Sequence, residues 1–202
     1  MQKRASSKKE RMRSIRDDVF NLTSSPLYAY RAESNYFPVI GEGDHDAAIM
    51  FIGEAPGKNE AATGRPFCGA AGKLLDELLA TIDLPRKKVY IANILKDRPP
   101  NNRDPLPEEI VAYAPFLDRQ IEVIQPKVIA TLGRFSMEYI MRKFGLERDL
   151  LPISKIHGKT FPAESLFGRL TIVPLYHPAA AIYTRSLMGE LRKDFQVLKE
   201  FI

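Results

Sequence analysis

Short runs of consecutive apolar residues alternate along this chain with longer stretches in which apolar positions recur every three or four residues. Ala47 to Ile52 (AAIMFI) is the first run, followed by Val89 to Leu95, Lys127 to Leu132 (KVIATL) and Leu170 to Tyr176 (LTIVPLY). Runs of this kind predict strands buried on both faces. Between them, Leu74, Leu75, Leu78 and Ile82 mark one helical face within 71–84, and Ile110, Tyr113, Leu117, Ile121 and Ile124 mark another behind Pro107. Further helices are expected over 134–144 and 185–201. The alternation predicts an α/β fold, a three-layer αβα sandwich around a central, mainly parallel four-stranded sheet. Ligands of such sheets bind beyond the carboxyl ends of the strands, which singles out the loops beginning at Gly53, Lys96, Gly133 and His177.

The 202 residues have room for one substantial core, expected over 23–202. Residues 1–22 are rich in Lys and Arg and turn amphipathic around Met12, Ile15, Val19 and Phe20, which predicts a basic tail entering a helix. The irregular stretch 24–46, with Pro26 and Pro38, is expected to be a connecting loop. No apolar run reaches the roughly 18 residues that a membrane span needs, and the charged start is unlike a secretory leader. A cytoplasmic protein without membrane contact is the expectation. Cys68, the single cysteine, excludes an intrachain disulfide and any site built from several thiolates. The net charge of +5 favours a polyanionic partner without specifying one.

The loop after the first strand reads GEAPGKNE (53–60) and is followed by GRPFCG (64–69) and Gly72. Glycines let a backbone approach a ligand closely, and amides at a helix start favour negative charge. Neither a Walker loop nor a dinucleotide fingerprint is present. The residues by themselves therefore define a ligand loop and no more.

Taken together, GEAPGKNE with GRPFCGAAGKLL, NILKDRPPNNRDPLPEE, PFLDRQIEVIQPKVIATLG and YHPAAAIY, in this order, resemble the family 4 uracil-DNA glycosylases from about Ser25 to the end of the chain. The resemblance implies an enzyme that flips uracil out of single- or double-stranded DNA and hydrolyses its N-glycosidic bond. It implies Phe67 as the stacking platform and Asn93 as the amide that reads the uracil edge. His177 would face O2 of the leaving base, Glu54 would position the attacking water, and Glu60 is the second choice for that task. Ala55 and Gly57 line the uracil site; another branch of the superfamily places an aspartate and a thymine-excluding tyrosine there. Ile182 and Tyr183 are implied as wedges into the duplex, and Arg98, Asn101, Arg103 and Arg185 as contacts on the DNA rim, with Asn102 and Lys58 nearby. A monomer is expected.

Family members hold a four-iron cluster on four cysteines, whereas the matching positions here are Leu22, Ser25, Asp97 and Tyr113. Such clusters require thiolates, so neither cluster nor metal is expected, with side-chain packing filling the space and Asp97 pairing with a nearby Arg or Lys. His157 stands where relatives carry Arg before Gly, and is expected as a phosphate contact or surface residue. Two other readings remain open: a catalytically silent DNA- or partner-binding relative, and a glycosylase for another deaminated base such as hypoxanthine, admitted by open space at Gly57.

Overall fold

The computed structural model describes residues 6–202; the first part of the basic tail, residues 1–5, lies outside them. The chain runs through α1 (Lys8–Phe20), α2 (Tyr28–Glu33), β1 (Glu42–Gly43), β2 (Ile49–Gly53), α3 (Lys58–Thr63), α4 (Ala70–Ala80) and β3 (Tyr90–Asn93). It continues through α5 (Pro107–Ile124), β4 (Val128–Leu132), α6 (Arg134–Lys143), α7 (Ile153–Ile156), β5 (Phe161–Ser165), β6 (Gly168–Leu175), α8 (Pro178–Tyr183) and α9 (Leu187–Gln196).

The strands lie in the order β1-β3-β2-β4-β6-β5. The inner four are parallel, as the apolar runs predict, and β1 and β5 add an antiparallel strand at each edge. These two edges escape the hydrophobic pattern for a physical reason. β1 has only two residues, and β5 (FPAES) exposes Pro162 and Glu164 at alternate positions and buries only Ala163, so it lacks an apolar run.

Every residue of β2, β3 and β4 is buried, and the pleat divides them between two cores. Met50 and Ile52 point to a layer holding Met12, Ile15, Leu117, Ile121 and Ile140; Ile49 and Phe51 point to one holding Leu75, Leu78 and Phe195. Helices α1, α5 and α6 thus cover one face, and α4, α8 and α9 the other. Pro107 opens α5, where Glu109 reaches back to accept the Leu106 amide at 2.8 Å.

The basic N-terminal segment is part of this body. Ser7 and Glu10 form a capping box that starts α1, which buries Met12, Ile15 and Val19. The stretch expected to be a loop, 24–46, contains α2 and β1. Helix α2 is anchored by Arg31, a buried side chain whose guanidinium donates to the carbonyls of Val19 (3.3 Å) and Phe20 (3.0 Å) and pairs with Asp97 Oδ2 at 3.1 Å. Tyr113 donates to the same Asp97 oxygen and lies 2.6 Å from Ser25 Oγ, which accepts the Leu27 amide. Burial raises the Asp97 pKa, while Tyr113 and Arg31 pull against that shift. One buried polar network therefore joins α1, α2, the β3 loop and α5.

Candidate active site

The loops at the carboxyl ends of β2, β3 and β6 enclose a cavity of about 350 Å³. Glu54, Ala55, Gly57, Glu60, Phe67, Asn93, Arg103, His177 and Tyr183 all border it, so most of the residues singled out from the sequence converge here. A larger groove of about 480 Å³ runs along α1 past Phe20 and Phe37, but among the described residues no buried polar atom without a partner borders it.

Asn93, the last residue of β3, is 2% exposed, and its Oδ1 has no hydrogen-bond partner among the described residues. A buried acceptor left empty is uncommon and calls for an N–H from outside. Gly53 makes room for it: a Cβ there would stand 2.3 Å from Asn93 Oδ1 and 2.8 Å from the Phe67 ring. Phe67 forms an aromatic wall and is held in the left-handed region at φ +47. Strain of that kind persists only where the surroundings over-determine it. Here Arg86 donates to the carbonyls of Pro66 (2.7 Å) and Phe67 (3.1 Å), while Glu60 Oε1 accepts the amides of Cys68 (2.9 Å) and Gly69 (2.8 Å).

That geometry changes the part expected of Glu60. One of its oxygens is committed to the Phe67 loop, which makes it a positioning group. Its other oxygen lies against Gly57, where an added Cβ would meet Oε2 at 2.7 Å, so the open space expected at Gly57 is already bordered by a carboxylate.

His177 caps α8, its Nδ1 accepting the Ala179 amide at 3.1 Å. The proton of the neutral ring must then sit on Nε2. The ring borders the cavity and is otherwise enclosed by protein, and this burial lowers its pKa to about 4 against a smaller opposing pull from Glu60. At neutral pH it is an uncharged donor. Phe67 and His177 stack with centroids 5.6 Å apart and planes 28° from parallel.

Glu54 begins the β2 loop and is partly buried. Desolvation, then the charge of Asp104, raises its pKa to about 7, and Arg134 opposes them. Arg134 and Asp104 form a surface ion pair. Neither was singled out from the sequence, although Arg134 directly follows Gly133, one of the loop starts flagged there.

On the rim, Tyr183 is 88% exposed and Ile182 46%, and Arg185 is exposed beyond them. Arg98 donates to the hydroxyls of Tyr30 (3.1 Å) and Tyr36 (3.0 Å) and to Asn102 Oδ1 (2.7 Å), and Arg103 pairs with buried Glu109. Both arginines hold the rim loop in place. That loop turns through exposed Asn101 and Asn102, both at positive φ, a conformation asparagine tolerates well. His157 lies away from the cavity, half-buried, with Nδ1 2.7 Å from Asp194 Oδ2 and its ring 4.4 Å from that of Tyr176, instead of standing free on the surface.

An aromatic wall, an empty amide acceptor, a neutral imidazole donor and a carboxylate poised near neutrality suit a flat heterocycle that offers an N–H on one edge and a carbonyl on another. The uracil DNA glycosylase superfamily profile matches residues 40–201. A type-4 uracil-DNA glycosylase of Sulfurisphaera tokodaii is 45% identical over 187 residues, 92% of this chain and 82% of the relative. The type-4 enzyme of Archaeoglobus fulgidus is 46% identical over 85% of this chain and 84% of the relative. A type-5 uracil-DNA glycosylase of Thermus thermophilus is 33% identical over 74% and 73%. With both its profile and its relatives aligned across this cavity, the chain belongs to the uracil-DNA glycosylase superfamily.

Proposed function

We propose that this chain is a monofunctional uracil-DNA glycosylase of base-excision repair, which takes a flipped uracil into the cavity and hydrolyses its N-glycosidic bond. The empty Asn93 Oδ1 is the observation that carries the reading. Uracil N3–H supplies the missing donor, whereas cytosine presents a bare acceptor at the same position. Phe67 stacks on the base.

As the bond between C1′ and N1 breaks, its electron pair passes to the base and accumulates at O2. A neutral Nε2–H donor on His177 aimed at O2 stabilises this charge more as it develops than before. Water adds to C1′, and its proton passes to the Glu54 carboxylate. The products are an abasic site and the uracil anion, which takes up a proton as Glu54 gives its own back to solvent, so that neutral uracil and the Glu54 carboxylate result. Tyr183, backed by Ile182, fills the space the base leaves, and Arg185 meets phosphate.

The enzyme works without an iron–sulfur cluster. The four cluster positions present an alkyl group, a hydroxyl, a carboxylate and a phenol, three of them linked by hydrogen bonds, and a set without a single thiolate does not fit a four-iron cluster. Asp97 pairs with Arg31 as expected, and hydrogen bonds join side-chain packing in occupying the region. Action as a monomer in the cytoplasm belongs to the same reading; sedimentation at the mass of one chain is the expected result.

The test is incubation of wild type and Asn93→Ala with uracil-containing oligonucleotides in EDTA, followed by alkali. Strand breaks from the wild type alone support the reading. No breaks on single- or double-stranded substrate would overturn it, and appreciable iron in the purified protein would overturn the cluster-free part.

A further inference from the structure

Three residues beyond Asn93, the side chain of Lys96 is completely buried. Lysine is almost never fully buried unless paired, because desolvating an ammonium is costly. Among the described residues Lys96 has no carboxylate partner. Its Nζ instead donates to the Asn93 carbonyl at 2.7 Å and to Gln120 Oε1 at 2.6 Å. Gln120 is itself buried on α5, and its amide donates to the Ile40 carbonyl at 2.8 Å and the Tyr90 hydroxyl at 3.2 Å. Burial brings the Lys96 pKa down to about 7, and the two N–H groups of a neutral amine match the two oxygens it faces.

The backbone beside Asn93 is held by its pairing with β2, extended by the Leu95 amide donating to the Glu54 carbonyl at 3.0 Å, and by two further contacts. The Ile94 amide donates to the Gly53 carbonyl at 3.0 Å, and the Asn93 carbonyl is held by Lys96. The Asn93 carboxamide oxygen has no such tether. Its direction follows from the backbone that carries it and from the walls formed by Gly53 and Phe67.

We infer that Lys96 is a positioning residue for base recognition, locking the Asn93 carbonyl to Gln120 so that the Asn93 amide meets the base in a fixed orientation. The inference rests on the reading of Asn93 as the group facing uracil. Lys96 does not touch the base; it acts through Asn93.

Single-turnover uracil release and thermal unfolding are measured for Lys96→Met in the wild-type and Asn93→Ala backgrounds. A misplacement of about 1 Å at a reacting site lowers rates by as much as ~100-fold, so a loss of about 10- to 100-fold is expected in the wild-type background. In Asn93→Ala the same substitution should cause no further loss of rate, although it still lowers the unfolding temperature. Lys96→Gln, which keeps a donor, should recover part of the rate. Should Lys96→Met fail to fold, Gln120→Met serves instead, with a smaller loss that again vanishes in Asn93→Ala. An equal loss in both backgrounds, or a lowered unfolding temperature at unchanged rate, would overturn the positioning role while leaving the glycosylase reading intact. An inactive wild type would overturn both.

Discussion

The Ala179 amide donates to His177 Nδ1 at 3.1 Å, and this one contact fixes the tautomer of the ring that borders the cavity. Because the same ring is held neutral by burial, its proposed part is to act on the leaving base as a hydrogen-bond donor, with no full positive charge involved. His177→Ala is expected to lower the single-turnover rate by about 100- to 1000-fold, the usual loss when one such donor is removed. Substrate binding, followed by fluorescence anisotropy, should change far less.

If Glu54 takes the proton of the attacking water, as proposed, it sets the pH dependence. Its carboxylate must be ionised to take a proton from water, so uracil release is expected to rise with pH through about 7 and then level off. Replacing Asp104 by Asn removes a charge that raises this pKa and should shift the rise to lower pH; Arg134→Ala should shift it to higher pH. A rate profile that all three proteins share would sink this assignment.

The same shift has a consequence for stability. A carboxyl group whose pKa is raised on folding binds more protons in the native state than in the unfolded one, so its ionisation opposes folding as pH climbs from the ordinary carboxylate range to about 7. Glu54→Gln should therefore unfold at a higher temperature than wild type at pH 8 and at the same temperature at pH 4. Activity should be lost at both.

Removing Asp97 leaves the Arg31 guanidinium buried without its counter-charge. Asp97→Ala is expected to destabilise the protein by about 3–5 kcal/mol, as broken buried ion pairs generally do. Tyr113→Phe, which removes one hydroxyl from the network, should cost about 1–3 kcal/mol. Denaturant unfolding measures both.

Tyr183 projects from the rim almost fully exposed. If it fills the gap left by the flipped base, Tyr183→Ala should slow cleavage of duplex DNA markedly more than cleavage of single strands, where no stack has to be opened. Equal slowing on both substrates would assign the wedge elsewhere.

The inner sheet was legible because four apolar runs too short for helices alternate with amphipathic helical stretches, the pattern of strands buried on both sides. Strand ends alone mark the places of Glu54, Asn93 and His177, whereas Phe67 lies between α3 and α4, and the grouping of all four in one site followed from the family resemblance. What the sequence conceals are partnerships made across the fold. The periodic stripe of α5 marks Tyr113 as apolar core, yet its hydroxyl reaches Asp97, and Arg31 reads as an ordinary surface charge although it is buried. Glu60 and Asp104 look like interchangeable acids until burial and neighbours separate them. Lys96 stood at a flagged loop start, but nothing in the local pattern announces that its side chain turns inward to Gln120.

The antiparallel strands at the two margins bear on how the protein behaves at high concentration. An open parallel sheet ends in rows of unpaired backbone groups that another chain can extend into an aggregate. Here one margin is closed by a strand only two residues long, and the other by β5, which carries Pro162 and Glu164, the latter paired with Arg169. Proline withholds a donor and the ion pair keeps that border wet, so the strands hardest to find from the sequence are the ones that guard the sheet against self-association.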